Sequence, residues 1–430
     1  MTIYRESLTE AEIDALLQNH KAGFSLDRAF YTDPTVFEAE FTHLISRQWQ
    51  YVDHVNRIPN KGDYILFRIA GEEIIVVRGE GETVYAHHNI CRHRGSRVCL
   101  EDEGRVRRLT CPYHAWSYRL DGSLAHARAM RPDFDPTQFG LLACRVELFE
   151  GLIFINLTPE GAGDVPDFDQ IRRDLQPWLQ RADLRYTKIA FHETYRSPVN
   201  WKIALENYFE CYHCVTSHPE FCKVQIHTLR DAVATAGAVA KFEQHNSAWQ
   251  LRADALGHET GAMNGNVGLP DAENYNAQAY YVERMLTSHD AEGAYARLGQ
   301  PFQPMTKLLG SYAEDDGGQL DWGILPSAFL YVGCTSGVIM RVTPLSALET
   351  EMSQTWFVHE DAVEGVDYDL ESLTWLDRVT MNQDEEIVRN TQAGAMSRFY
   401  LPGPYAELEQ PILEVHEDYI RALKYGRSLS

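Results

Sequence analysis

Short apolar runs separated by turn residues dominate the chain from Asp63 to Leu157. YILFRIA, EEIIVVRG, TVYAHHN, RRLTC, SYRL and ACRVELFEGLIFINL follow one another there. Runs of this length, rich in β-branched and aromatic residues, predict strands, and Asp121-Gly122 between two of them is a two-residue hairpin signal. A Pro- and Gly-rich stretch, Thr158–Phe168, reads as a linker. Beyond it YTKIAFHETYRS predicts a strand leading into WKIALENYFECYHCVTSHP (Trp201–Pro219). From Lys223 to Gly318 there is no clean period. Strand patterning returns in SAFLYVGC, GVIMRVTPLS and MSQTWFVHE. A helix is predicted from Leu370 to Gln392, with Leu373, Leu376, Val379, Ile387 and Val388 on its apolar side. Near the start, Thr9 with Glu12 forms a capping-box pattern opening a short helix.

Length and composition narrow the class. The 430 residues suffice for two or three domains, and no apolar run is long enough to span a membrane. The first residues lack a secretory pattern, so a cytoplasmic protein is expected. A formal charge of −23 argues against nucleic acid or an anionic membrane as partner and fits a small cationic substrate or a basic protein partner better. Eight cysteines in so long a chain suggest reduced thiols or metal ligands, not a disulfide framework.

Two loops of the first half each offer one Cys and one His: Cys91-Arg92-His93 and Cys111-Pro112-Tyr113-His114. Zinc fingers group their ligands as a Cys pair and a His pair. One thiolate and one imidazole per loop suits a [2Fe–2S] cluster with two Cys on one iron and two His on the other. Cys99 falls outside the pattern and reads as a packed thiol. In the second half Glu210 and His213 are three apart, one helical face. Pro219 pushes the residue before it out of the helix, freeing His218 to turn back towards His213. Two imidazoles meeting in this way suit a divalent metal. The interleaved Cys211 and Cys214 leave a zinc or a redox Cys-x-x-Cys reading open.

CRHRGSRVC followed by CPYHAWSYRLDG resembles the cluster loops of the Rieske non-haem iron oxygenases, and NWKIALENYFECYHCVTSHPEF resembles their mononuclear iron motif. The resemblance implies an α+β chain: an N-terminal helical segment (1–44) packed on the catalytic domain, an all-β Rieske domain (45–160), and a catalytic domain (161–430) with an antiparallel sheet flanked by helices, of helix-grip, START-like type. It implies a cluster on Cys91, His93, Cys111 and His114, and Fe(II) on His213, His218 and a carboxylate. Within NQDEEIVRNTQAG both helical spacing and the family pattern favour Asp384 for that carboxylate. Glu210 would bridge His213 to His114 of an adjacent subunit in a homotrimer.

ENYFECYHC, TWFVHEDAVEGVDYDLE and YLPGPY resemble the branch acting on quaternary ammonium compounds. The implied reaction is hydroxylation of an N-methyl group of a betaine by O₂ with release of formaldehyde. Electrons would come from NAD(P)H through a separate flavin and iron–sulfur reductase, since the chain has no nucleotide-binding G-x-G-x-x-G after a strand. Hydroxylation of an aromatic ring is the alternative activity.

Overall fold

Among the described residues ten strands run between Gln50 and Asn156. They are β1 (Gln50–His54), β2 (Asp63–Ile69), β3 (Glu72–Arg78), β4 (Val84–His88), β5 (Glu103–Arg105), β6 (Leu109–Thr110), β7 (Ser117–Tyr118), β8 (Leu124–His126), β9 (Ala143–Phe149) and β10 (Leu152–Asn156). Seven form one antiparallel sheet in the order β1-β10-β9-β4-β3-β2-β5, and β6-β7-β8 form a small second sheet. Asp121-Gly122 makes the β7–β8 turn, with Asp121 Oδ1 accepting from Ser123 N at 2.9 Å. Only glycine fits at 122: φ is +83° and an added Cβ would lie 2.6 Å from the His87 ring. Strand β1 was not anticipated, because all five of its residues are buried and it therefore shows no alternation.

The computed structural model describes residues 8–159, 163, 165–267, 278–287 and 307–428. The chain divides into Ser46–Phe168 and a second unit made of Met1–Ile45 with Asp169–Ser430. Within the first of these units the Phe168 ring packs on Trp49 at 5.1 Å and Phe154 at 5.2 Å.

The second unit is built on another seven-stranded antiparallel sheet. Its strands are β11 (Thr187–Ser197), β12 (Gly261–Val267), β13 (Gln278–Leu286), β14 (Gly318–Ile324), β15 (Ala328–Val332), β16 (Ser336–Ser346) and β17 (Glu349–His359). They run in the order β11-β17-β16-β15-β14-β13-β12. Helices flank the sheet, so the fold is α+β. The helix Leu370–Ala395 is pinned to β17 where Trp356 Nε1 donates to Asp377 Oδ2 at 2.8 Å.

Glu40, fully buried on the helix Pro34–His43, accepts from Trp201 Nε1 at 2.9 Å and from Lys202 Nζ at 2.6 Å. That ion pair ties the N-terminal helices to the start of the helix Trp201–Tyr208. Among the described residues no helix is long and apolar enough to cross a membrane.

The patternless region departs most from expectation. It contains a 20-residue helix, Ala236–Ala255, of which only Phe242, Trp249 and Ala253 are buried. So thin a stripe leaves no strong period in the sequence.

Candidate active site

The helix Trp201–Tyr208 opens at Asn200, whose Oδ1 accepts from Lys202 N at 3.0 Å, a side-chain N-cap. It ends before Glu210, so Glu210 and His213 meet across a turn and not along a helix. Glu210 Oε2 accepts from His213 N at 3.2 Å and Oε1 lies 2.6 Å from His213 Nδ1. His218 stands between the short helices Cys214–Ser217 and Pro219–Val224 with non-helical φ −123° and ψ 65°. Its Nδ1 lies 2.8 Å from Gln383 Oε1. Gln383 Nε2 donates to Glu220 Oε2 at 2.9 Å, which fixes which way that amide points.

These partners set the tautomers. A carboxylate faces Nδ1 of His213 and an amide oxygen faces Nδ1 of His218, so both Nδ1 atoms carry hydrogen and both Nε2 atoms are left with lone pairs. The two Nε2 atoms lie 3.0 Å apart, and Asp384 Oδ1 is 2.9 Å from His218 Nε2 and 3.3 Å from His213 Nε2. Three electron-rich atoms converging without a cation repel one another. Two imidazoles and one carboxylate are the donor set of a facial Fe(II) site with open positions.

Burial lowers the pKa of His213, but hydrogen bonds to Asp384 and Glu210 outweigh it and raise it to about 9. Burial would raise that of Asp384, yet the two histidines hold it below its ordinary value. Without a bound cation the same carboxylates draw a proton onto His213, and a metal at Nε2 would displace it.

Cys211 and Cys214 are joined in a disulfide, contrary to the expectation of reduced thiols. The tight turn after the helix brings their Cα atoms to 4.9 Å, within bonding range. With its sulfurs so committed, the pair supplies no ligand for zinc.

In the first unit the two loops share one backbone plan. Gly95 N donates to Cys91 O at 2.9 Å and Ala115 N to Cys111 O at 3.1 Å, and these two residues, each four beyond its Cys, have positive φ, +72° and +60°. Cys91 and Cys111 are each 2% exposed, within a core that includes Trp116 and Tyr118. His93 is exposed and stacks on Trp116 at 4.9 Å, and the His93 and His114 rings are 4.6 Å apart. His114 Nδ1 is enclosed without a hydrogen-bond partner. Two deep thiols, two outer imidazoles and one orphaned ring nitrogen fit a Cys₂His₂ [2Fe–2S] cluster. Cys99 is a packed thiol: 6% exposed, it has its pKa pushed up to about 11 by burial.

Two family descriptions match the chain: "Rieske [2Fe-2S] domain" over residues 48–149 and "Ring hydroxylating alpha subunit (catalytic domain)" over residues 184–425. The chain belongs to the Rieske non-haem iron oxygenases. It is 33% identical over 398 residues to the glycine betaine monooxygenase oxygenase subunit of Pseudomonas aeruginosa (strain UCBPP-PA14), covering 91% of this chain and 87% of that one. It is 34% identical over 249 residues to the carnitine monooxygenase oxygenase subunit of Escherichia coli (strain K12), covering 56% and 66%. Two solved structures share the fold. A quaternary ammonium Rieske monooxygenase in complex with L-carnitine has a TM-score of 0.65 at 22% identity, covering 98% of this chain and 99% of that one. Naphthalene 1,2-dioxygenase with phenanthrene has a TM-score of 0.62 at 18% identity, covering 96% and 98%. As a Rieske oxygenase the chain carries a [2Fe–2S] cluster and a mononuclear iron, and it draws its electrons from a reductase.

The three converging atoms of this oxygenase open onto a cavity of about 1080 Å³. One face of the helix Leu370–Ala395 lines it with Asp377, Thr380, Met381 and Asp384. Opposite lies a cross-strand row in register, Glu283, Asp321, Tyr331, Val338 and Trp356. Tyr208 adds a hydroxyl hydrogen-bonded to that of Tyr331, and its ring lies 4.1 Å from Phe329. The cavity is therefore both aromatic and acidic.

Sequence reading missed Gln383, the acidic pair Asp321 and Asp377, and the ring set Tyr281, Tyr331 and Trp356. Gln383 alone left a local signal, as the neighbour of Asp384.

Proposed function

We propose that the mononuclear iron is held by His213 Nε2, His218 Nε2 and Asp384, and the cluster by Cys91, His93, Cys111 and His114. The enzyme then acts on a quaternary ammonium betaine. Iron at this site supplies O₂ activation, fed by electrons from the cluster. Glu210 orients His213 and keeps its lone pair directed inward; in a head-to-tail homotrimer it would also receive His114 of the adjacent subunit. Gln383 does the same for His218.

The substrate's quaternary nitrogen has no N–H, so recognition falls to aromatic faces and carboxylates. Tyr208, Tyr331, Trp356, Asp321 and Asp377 supply both. One N-methyl C–H bond is replaced by C–OH, consuming one O₂, two electrons and two protons and releasing water. The N–CH₂OH carbon then leaves as formaldehyde, the nitrogen keeping the electron pair and a proton going to solvent. The electrons come from NAD(P)H through a separate flavin and iron–sulfur reductase in the cytoplasm.

The observation that carries this reading is the convergence of two imidazole Nε2 atoms and a carboxylate at an aromatic and acidic cavity. The test is to incubate the iron-loaded protein with reductase, NADH and a panel of betaines and to assay formaldehyde. Stoichiometric formaldehyde is expected. Its absence with every betaine, together with hydroxylation of a benzoate-like acid, would replace this reading with ring hydroxylation.

A further inference from the structure

Gln354 sits on β17 between Met352 and Trp356, on the face that looks towards the helix Leu370–Ala395, and it is 1% exposed. It lies at the wall of the large cavity. Neither its Nε2 nor its Oε1 has a hydrogen-bond partner. Buried side-chain amides are almost always paired, and an amide with both ends unpaired calls for an explanation. Packing does not provide one. Its in-register neighbours are Met340 on β16 and Glu193 on β11, and the next residue on its own face is the Trp356 ring; Glu193 is paired with Arg378, and none of the three bonds the amide.

The same cavity is bordered by three further enclosed polar atoms without partners, Gln225 Oε1, His227 Nδ1 and Asn266 Oδ1. Unsatisfied polar atoms gathered round one cavity mark a surface completed by a ligand.

Position along the cavity says which part of the ligand. On the helix side, Asp377 and Asp384 are seven residues apart, about 10.5 Å of helix axis. On the sheet side, Trp356 bonds Asp377, and Gln354 is two strand residues away, about 6.6 Å. The start of β17 lies beside the end of the helix Leu370–Ala395, since Thr350 Oγ1 donates to Val199 O and Asn200 N to Gln392 Oε1, so Gln354 stands on the Asp384 side of the Trp356–Asp377 contact. Its N–H₂ and C=O are within the span of a small molecule whose methyl group is at those imidazoles.

Building on the quaternary-ammonium reading, we infer that Gln354 is a specificity-determining residue whose amide hydrogen-bonds an oxygen atom on the substrate's tail. A carboxylate oxygen takes the N–H₂, whereas a hydroxyl takes either end of the amide. A substrate with no oxygen leaves the amide as unsatisfied as it is in the free enzyme, and so gains nothing from it.

The test compares wild type with Gln354→Leu and Gln354→Glu, using three probes: glycine betaine, choline and tetramethylammonium. Binding to the loaded enzyme is measured by calorimetry, KM by formaldehyde release, and stability by thermal unfolding. Gln354→Leu is expected to weaken glycine betaine or choline by about tenfold or more and to leave tetramethylammonium within about twofold. Its Tm should be unchanged or raised, since no bond is lost and a buried amide is removed. Gln354→Glu keeps the shape and the acceptor but no donor. It should weaken glycine betaine more than choline if the tail is read as a carboxylate, and choline should retain most of its affinity.

A lowered Tm with unchanged binding would assign Gln354 a structural role and overturn the inference. Equal weakening of all three probes would mean that it only shapes the cavity, and would overturn it as well. If wild type binds none of the three, the quaternary-ammonium reading itself fails. If wild type binds them and both variants bind alike, only the role of Gln354 fails.

Discussion

The backbone N–H of Asn200 donates to Gln392 Oε1 at 2.7 Å, and both residues are buried. Asn200 caps the helix that leads to His213, and Gln392 lies two helical turns beyond Asp384. A single hydrogen bond thus holds the start of one metal-binding segment against the helix that carries the other. Gln392→Leu would leave a buried N–H unpaired and cost about 1–3 kcal/mol. Thermal unfolding should register that loss. Iron retention after dialysis should fall by about 10- to 100-fold, as when a ligand's supporting partner is removed. Unchanged iron content would show that the site holds without this brace.

His213→Ala and Asp384→Ala should each lose the mononuclear iron while the visible absorbance of the cluster persists. Iron analysis should then give two atoms per chain where wild type gives three. A variant that keeps three would place the third iron elsewhere.

Glu210→Gln keeps the length of the side chain but exchanges a carboxylate for an amide beside His213 Nδ1. Both metal centres should stay loaded, with turnover reduced about 10- to 100-fold. Single-turnover re-oxidation of the reduced cluster in the presence of substrate should slow in parallel. Re-oxidation at the wild-type rate would remove Glu210 from the electron route.

Substrate affinity should depend on pH through the acidic end of the cavity. Burial pushes the pKa of Asp321 up to about 7 and that of Asp377 up to about 6. Below pH 6 both are mostly neutral, and above pH 7 mostly charged. A quaternary cation stabilises the charged forms, so its binding releases protons. KM should accordingly fall as pH rises through 6–7 and level off above. Each unit by which the cation lowers a carboxylate pKa corresponds to about tenfold in affinity between the two limits. Asp321→Asn should flatten the upper part of the profile. A flat wild-type profile would mean that these carboxylates do not face the substrate's charge.

Lys202 and Glu40 are 4% and 0% exposed and 2.6 Å apart. Lys202→Met leaves Glu40 as an uncompensated buried charge and should destabilise the protein by about 3–5 kcal/mol in denaturant unfolding. Pairing it with Glu40→Gln should recover much of that loss, because the stranded charge is then gone.

The cluster loops and the two histidines were legible because their chemistry is packed into short, spacing-specific segments. Asp384 was legible because a helix repeats regularly and the side facing the core could be counted. Asp321, Tyr331 and Trp356 were not, for they become neighbours only through the register of β14, β15, β16 and β17. Strand β12 was illegible for a functional reason. Asn264, Gly265 and Asn266 line the cavity, so the strand lacks the apolar alternation that would announce it. Glu210 and His213 were expected to meet along a helix. They meet across a turn, because the helix Trp201–Tyr208 stops short of them.

The depth profile of the two Cys–His loops gives the first domain a single electrical terminal. Both sulfurs are sealed beneath a tryptophan and a tyrosine, so tunnelling through that side crosses insulation, whereas the imidazole rim meets the surroundings. Electrons should therefore enter and leave this domain by way of its two imidazoles and not through its thiolate side.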